Sequence, residues 1–189
     1  MNRKPCFVIQ ERVLSKLQDG NCNESFLMNL FGTIVDLDGV RLLRRSLRNE
    51  GKRLVLTNGC FDILHSGHVT YLAEARALGD FLLVAINDDA SVAALKGPGR
   101  PINSVSDRAR VLCALRSVDA VVVFHGERII GVIQAAQPDV YVKGGDYTLD
   151  TLHAGERAAL EACGAEIHLV SLIEGKSTTR ILEAVRSRG

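Results

Sequence analysis

The chain has 189 residues, 47% of them hydrophobic and 24% charged, with a formal net charge of +1. That length supports one domain with a substantial core and is tight for two, and the composition is ordinary for a soluble globular protein. The balanced charge gives no global reason to expect nucleic acid or an anionic membrane as partner, and no apolar run approaches the ~20 residues needed to span a bilayer.

The N-terminus, "MNRKPCFVIQERVLSKLQ", lacks a sustained apolar segment and a small-residue cleavage site, so no secretory signal is read there. Five scattered cysteines (Cys6, Cys22, Cys60, Cys113, Cys163) form no C-x-x-C pair and read as reduced thiols of a cytoplasmic protein. Residues 1–33 show no assignable pattern beyond a loop-like Cys-Asn-Glu-Ser stretch. From Ile34 to Glu50 the spacing of Leu37, Val40, Leu43 and Leu47 predicts one amphipathic helix, with Asp38 as cap and Gly51 as stop. Its other face carries Arg41, Arg44, Arg45 and Arg48, read as the solvated side of a docking helix or as a partner surface. Residues 1–50 are thus expected to form an N-terminal helical extension and residues 51–189 the main domain.

Beyond Gly51, short β-rich runs alternate with helical periodicity. The strands are expected at Arg53–Asn58, Phe81–Ile86, Ala120–Phe124, Val140–Lys143 and Glu166–Val170, mostly apolar on both sides, as in parallel strands covered on both faces. Helices are expected at His68–Leu78, Val105–Ser117, Glu127–Ala136, Ala154–Cys163 (stopped by Gly164) and Ser177–Ser187. Asn103 and Ser104 are cap candidates for the second of these, with Asp107 three residues after Ser104. This β-α repetition predicts an α/β fold: a Rossmann-like, doubly wound sheet of about five parallel strands with right-handed crossovers.

"TNGCFDILHSGH" (Thr57 to His68) stands after the first strand of that repeat, where open parallel sheets bind ligands. Gly59 is expected to allow a sharp turn, and Gly67 to bare the backbone N–H groups of a helix start, a ready anion site. His65 and His68 can donate N–H groups to phosphate oxygens there. Zinc ligation is the alternative, but the nearby cysteines lack ligand spacing and no H-E-x-x-H pattern is present. Two core histidines beside a Ser-Gly turn would be hard to satisfy. There is no P-loop pattern and no G-x-G-x-x-G after the first strand; "KGPGR" (Lys96–Arg100) reads as a mobile basic loop.

"TNGCFDILHSGHVTYLAEARALGD", "GRPINSVSDRARVLCALRSVD", "PDVYVKGGDY" and "EGKSTTRIL", in this order, resemble the H-x-G-H nucleotidyltransferase superfamily of cytidylyl- and adenylyltransferases. The resemblance covers Ile34 to the C-terminus. Through "VKGGDY" and "TNGCFD" it implies adenylyl transfer from ATP to a sugar 1-phosphate, D-glycero-β-D-manno-heptose 1-phosphate, giving ADP-heptose for lipopolysaccharide core or another surface glycan. Magnesium arrives with ATP, no covalent enzyme intermediate forms, and a homodimer is suggested. His65 and His68 would hold the triphosphate, with Lys96 and Arg108 as further phosphate contacts. Asn58, Gly59, Phe61, Gly67, Asp88, Gly145, Asp146, Ser177, Thr178 and Thr179 would surround the nucleotide, and Arg100, Lys143 and Tyr147 the acceptor. Asp62 is carried as a structural or ligand contact.

Two departures bear on the sugar. His125-Gly126-Glu127-Arg128 stands where a Glu-Asp-Thr-Pro type segment is expected, and Lys176 precedes Ser177-Thr178-Thr179. A glycerol-3-phosphate cytidylyltransferase shares the H-x-G-H and "EGxSTT" features, though "GGDY" differs from its Gly-Asp-Asp-Trp type segment. A non-catalytic nucleotide-sensing protein, working through the arginine-rich helix, is the reading from another class.

Overall fold

The computed structural model describes residues 32–145, 151–170 and 177–187. Asp146, Tyr147, Lys176, Cys6 and Cys22 lie outside the described residues. In chain order the elements are β1 (Thr33–Val35), α1 (Leu37–Asn49), β2 (Leu54–Gly59), α2 (Ser66–Arg76), β3 (Phe81–Asn87), α3 (Asp89–Lys96), α4 (Val105–Cys113), β4 (Ala120–Phe124), α5 (Ile130–Ala136), β5 (Val140–Gly144), α6 (Ala154–Cys163), β6 (Glu166–Val170) and α7 (Thr178–Arg186). None of the described helices is long and apolar enough to cross a membrane.

The strands form one parallel sheet of six in the order β1-β4-β3-β2-β5-β6. Alternation divides the core between its faces. Leu54, Leu56, Leu83, Ala85, Val122 and Tyr141 point to one face, where α1, α5 and α6 supply Val40, Leu47, Ile133 and Leu160. Val55, Leu82, Val84, Val121, Val140 and Val142 point to the other, under Leu72 and Ala75 of α2 and Leu112 of α4. The doubly wound arrangement expected from the apolar runs is therefore present, with helices on both faces.

Three departures have local causes. The sheet has a sixth strand, because Thr33-Ile34-Val35, a β-branched run, pairs with Ala120, Val121 and Val122 instead of starting a helix. Helix α1 therefore begins at Leu37. Asp36 caps it by accepting from the Gly39 N–H at 2.8 Å, while Asp38 pairs with Arg41 on the surface. Second, α3 was not foreseen: the eight residues "DASVAALK" are too few to show helical periodicity, and the Asp88 cap makes the helix. Third, α5 starts at Ile130 because residues 125–128 run as a loop through Gly126, whose φ is +84°.

At the amino edge of the sheet, aspartates satisfy strand N–H groups and hold arginines. Asp139 accepts from the Leu54 N–H and from both Nη atoms of Arg44, each at 2.7 Å. Burial alone would raise its carboxyl pKa, but Arg44 and the Leu54 N–H hold it below the ordinary value. Asp119 accepts from the Leu82 N–H and Arg76 Nε; there burial dominates and its pKa is raised.

Arg44 is buried, so Asp139→Ala would strand its guanidinium without its carboxylate. The expected loss is roughly 3 kcal/mol, a value typical of broken, largely buried pairs, and is measured as a lowered urea midpoint.

Candidate active site

The strand order reverses between β2 and β5: the chain runs from β2 outward through β3 to β4, then returns to the far side of β2. Loops leaving the carboxyl ends of these two strands diverge around a crevice. The 59–65 loop, the start of α2, and Lys143, Gly144 and Gly145 stand there.

In that loop the strained residue is Phe61, with φ of +47°, and not Gly59 as the sequence suggested. Gly59 instead makes room for Phe61: a Cβ at Gly59 would stand 2.9 Å from the ring. The buried Phe61 ring then meets His68 edge-on, with centroids 5.3 Å apart. His65 is the residue before α2, Gly67 is buried in its first turn, and the imidazoles of His65 and His68 stack at 3.9 Å with 24° between planes. The Nδ1 of His68 is buried and has no hydrogen-bond partner among the described residues. Burial, with a smaller contribution from His65, pulls the His68 pKa down to about 4. At neutral pH the His68 ring is uncharged, and an arriving polyanion would favour its protonation.

Asp62, in the same loop, is buried and acts as a latch. It accepts from Arg100 Nε at 2.6 Å and from the Ile102 and Asn103 N–H groups at 2.8 and 2.9 Å, and Asn103 Nδ2 donates to its carbonyl. Burial would raise its pKa; the two amides and Arg100 outweigh burial and lower it. Arg100, expected at the acceptor, is thus committed to Asp62, and the 97–103 loop is tied to the β2 loop. Lys96, the exposed last residue of α3, lies within electrostatic reach of Cys60.

Arg108, expected as a second phosphate clamp, turns its guanidinium inward. Its side chain is fully buried and donates to the Asn103, Cys60 and Asn87 carbonyls and to Asp89 at 2.7–3.1 Å. A guanidinium in a dry site must find acceptors, and these are all internal. Asp88 is likewise engaged, accepting from the Ser91 N–H and meeting His125 Nδ1 at 2.7 Å.

On the β5 side, Asn58 Oδ1 accepts from Tyr141 Oη at 2.8 Å and Lys143 Nζ at 2.9 Å. Gly144 lies against the Tyr71 ring, which a Cβ would meet at 2.8 Å, and the Gly145 N–H donates to the Val170 carbonyl. The hydroxyl of Tyr71, buried between Thr57 and the Val142 carbonyl, has its pKa pushed up to about 12. At the start of α7, Ser177 caps the helix through the Arg180 N–H, Thr178 Oγ1 donates to the Ile63 carbonyl, and Thr179 is exposed. The crevice thus assembles Asn58, Gly59, Phe61, His65, Gly67, His68, Lys143, Gly145 and the Ser-Thr-Thr turn, with Lys96 nearby. Asn87 was not foreseen: it is buried at the end of β3, and its amide donates to the Gly126 carbonyl. The one sequence hint is that each of these neighbouring strands carries an asparagine near its carboxyl end, Asn58 in β2 and Asn87 in β3.

The lowered His68 pKa has a stability consequence. Between about pH 6.5 and pH 4 the unfolded chain binds a proton at His68 that the folded chain does not, so stability falls as pH falls through this window. His68→Asn is expected to flatten that part of a chemical-denaturation profile; an unchanged slope would count against a neutral buried ring.

Comparisons with known proteins agree with this architecture. Residues 56–184 match the family model described as cytidylyltransferase-like. The bifunctional protein HldE of Ectopseudomonas mendocina (strain ymp) is 49% identical over 155 residues, covering 82% of this chain and 32% of that protein. HldE of Methylobacillus flagellatus is 46% identical over 154 residues, covering 82% and 31%. The chain therefore spans about a third of the length of these curated relatives. Among solved structures, the lipopolysaccharide core biosynthesis protein from Thermoplasma volcanium GSS1 matches with a TM-score of 0.53 and 27% identity, over 67% of this chain and all of that one. Pantoate-beta-alanine ligase from Francisella tularensis, at 14% identity and a TM-score of 0.51, covering 81% of this chain and 76% of its own, shares the fold.

Proposed function

Because the chain belongs to the cytidylyltransferase-like family, we propose that it transfers the adenylyl group of ATP to D-glycero-β-D-manno-heptose 1-phosphate, releasing pyrophosphate and ADP-heptose. The stacked His65–His68 pair at the start of α2, facing the strand-order switch, carries this reading. The heptose assignment leans on "VKGGDY" and "TNGCFD" and on likeness to HldE, and a relative named for lipopolysaccharide core biosynthesis is in keeping with it.

In this mechanism an oxygen of the acceptor phosphate attacks the α-phosphorus of ATP. The bond from that phosphorus to the oxygen bridging to the β-phosphate breaks, and the electron pair leaves with pyrophosphate. No protein nucleophile is needed; positioning and neutralisation of the leaving charge supply the catalysis. The start of α2 offers backbone N–H groups to the triphosphate. His68, neutral beforehand because of its burial, gains a proton as the anion settles, and its N–H bond to phosphate strengthens as charge moves onto pyrophosphate. Lys96 reaches the phosphates from the end of α3, and Ser177, Thr178 and Thr179 present the start of α7 beside the same loop. Arg108 and Asp62 brace that loop from within.

Among the described residues, no three His, Cys, Asp or Glu side chains gather as a metal cage, and Asp62 and Asp88 are already engaged. That donor set fits magnesium held by the triphosphate's own oxygens and water, where it would offset part of the charge on pyrophosphate. The same reading carries a homodimer and a cytoplasmic setting.

The test is pyrophosphate release with magnesium, crossing ATP and CTP against heptose 1-phosphate and glycerol 3-phosphate. Release confined to ATP with the heptose is expected; release with CTP and glycerol 3-phosphate would replace the substrate pair. Nucleotide binding without release would favour a sensing protein. In the active pair, His68→Ala is expected to lower kcat by about 100-fold or more while changing ATP affinity severalfold at most, since its contact tightens in the transition state. Equal losses in both would reduce it to a binding residue.

A further inference from the structure

The arginine-rich side of α1 takes no part in the proposed reaction, yet it lines a cavity. Helix α1 packs against α5 on one face of the sheet, and the groove beside them has a volume of about 370 Å³. Helix α1 contributes Arg41, Arg44, Arg45 and Arg48 to its lining, and the end of α5 contributes Gln134 and Gln137. Small-molecule sites begin at about 300 Å³, so the space suits a compact ligand.

Arg44 fixes where the groove lies. It is buried, and both its Nη atoms donate to Asp139, which also takes the Leu54 N–H. Asp139 leads into β5 and Leu54 opens β2, so the groove stands at the amino end of the sheet. The crevice lies beyond the opposite end, about 20 Å away at ~3.3 Å for each of the six residues of β2. A ligand in the groove therefore does not share the transfer site.

The charges at this end of α1 do not cancel. Asp38 pairs with Arg41, and Asp139 with Arg44. Asp139 also feels Arg48, but both its oxygens are already occupied by Arg44. Among the described residues Arg45 and Arg48 form no ion pair, and no carboxylate lines the groove. The C-terminal ends of α1 and α5 border it, each worth about half a negative charge against two full positive ones. Arg41, Arg45 and Arg48 also follow one another at helical spacing, so they repel along one side of α1. A bound anion relieves that repulsion. Arg44 Nε, buried with no hydrogen-bond partner among the described residues, adds an unmet donor to the same side.

We propose that this groove is a second anion site, built for the diphosphate group of a small ligand and separate from the transfer crevice. Arg45 and Arg48 are neighbours one turn apart, and each planar guanidinium can grip two oxygens of one phosphate. Gln134 and Gln137 bring amides that both donate and accept, which suits the bridging or hydroxyl oxygens beside a diphosphate. Free pyrophosphate and a nucleoside diphosphate share this chemistry. The inference stands apart from the adenylyl-transfer reading.

Nuclear magnetic resonance of the full ¹⁵N-labelled chain tests it, with inorganic pyrophosphate in one titration and ADP in another. Saturable shifts are expected for Arg45, Arg48, Gln134 and Gln137 as one set, with an affinity distinct from that of Gly59 and His68 in the crevice. Arg45→Ser/Arg48→Ser should weaken the groove set by about tenfold or more, as for loss of charge-assisted hydrogen bonds, and leave the crevice set within about twofold. Both arginines are exposed, so the variant is expected to keep its unfolding midpoint. A tighter response to ADP upholds the site with a nucleoside diphosphate as its ligand; an equal or tighter response to pyrophosphate upholds it for the free anion. A groove set that fails to saturate, that answers equally to sulfate at the same ionic strength, or that persists in the variant overturns the site. Shifts with a hexaglutamate peptide and with neither diphosphate would also overturn it, in favour of an acidic protein segment. Failure of pyrophosphate release in the transfer assay would sink the adenylyl-transfer reading and leave this test intact.

Discussion

The buried guanidinium of Arg108 is the constraint on which the crevice depends. It lies inside α4 with no exposed surface and spends its donors on the carbonyl of Cys60 in the loop after β2, the carbonyl of Asn87 at the end of β3, the carbonyl of Asn103, and Asp89 in the first turn of α3. A desolvated charge of this kind persists only when nearly every donor is met, so these four segments are held in one arrangement. Asp62 adds a second tie of opposite sign between the β2 loop and the 100–103 turn. The loop that leads to both histidines is therefore fixed at its start, before α2 begins.

Charge is sorted along the strand direction. At the amino edge, aspartates at strand starts take N–H groups and arginines in tight pairs. At the carboxyl edge, the crevice brings together Lys143 and two stacked imidazoles, with Lys96 nearby. The carboxylates there are spoken for, Asp62 by Arg100 and backbone amides, Asp88 by Ser91 and His125. This arrangement suits the polyphosphate of the proposed reaction.

The stacked histidines show how packing prepares chemistry. The loop strains Phe61 into positive φ, Gly59 leaves room for its ring, and the ring covers the edge of His68. The result is an uncharged imidazole whose buried Nδ1 has no hydrogen-bond partner among the described residues. In the proposed reaction that ring acquires its proton where phosphate charge makes it favourable, so the field of the ligand completes the site.

By itself the sequence determined the local choices. Two-sided apolar runs made parallel strands at Phe81–Asn87 and Ala120–Phe124, Gly164 ended α6 in the left-handed conformation, Ser104 and Ser177 capped their helices, and the His-Ser-Gly-His turn stood at the start of α2. Such signals are periodicities and backbone preferences that operate within one turn or one strand, and so can be read in order. Only the tertiary structure decided that β1 joins the edge of β4, that Arg108 turns inward, and that Phe61 and not Gly59 bears the strain. Each of these depends on which strands become neighbours and which acceptors burial brings within reach. Those are properties of chain closure, on which neither period nor spacing carries information.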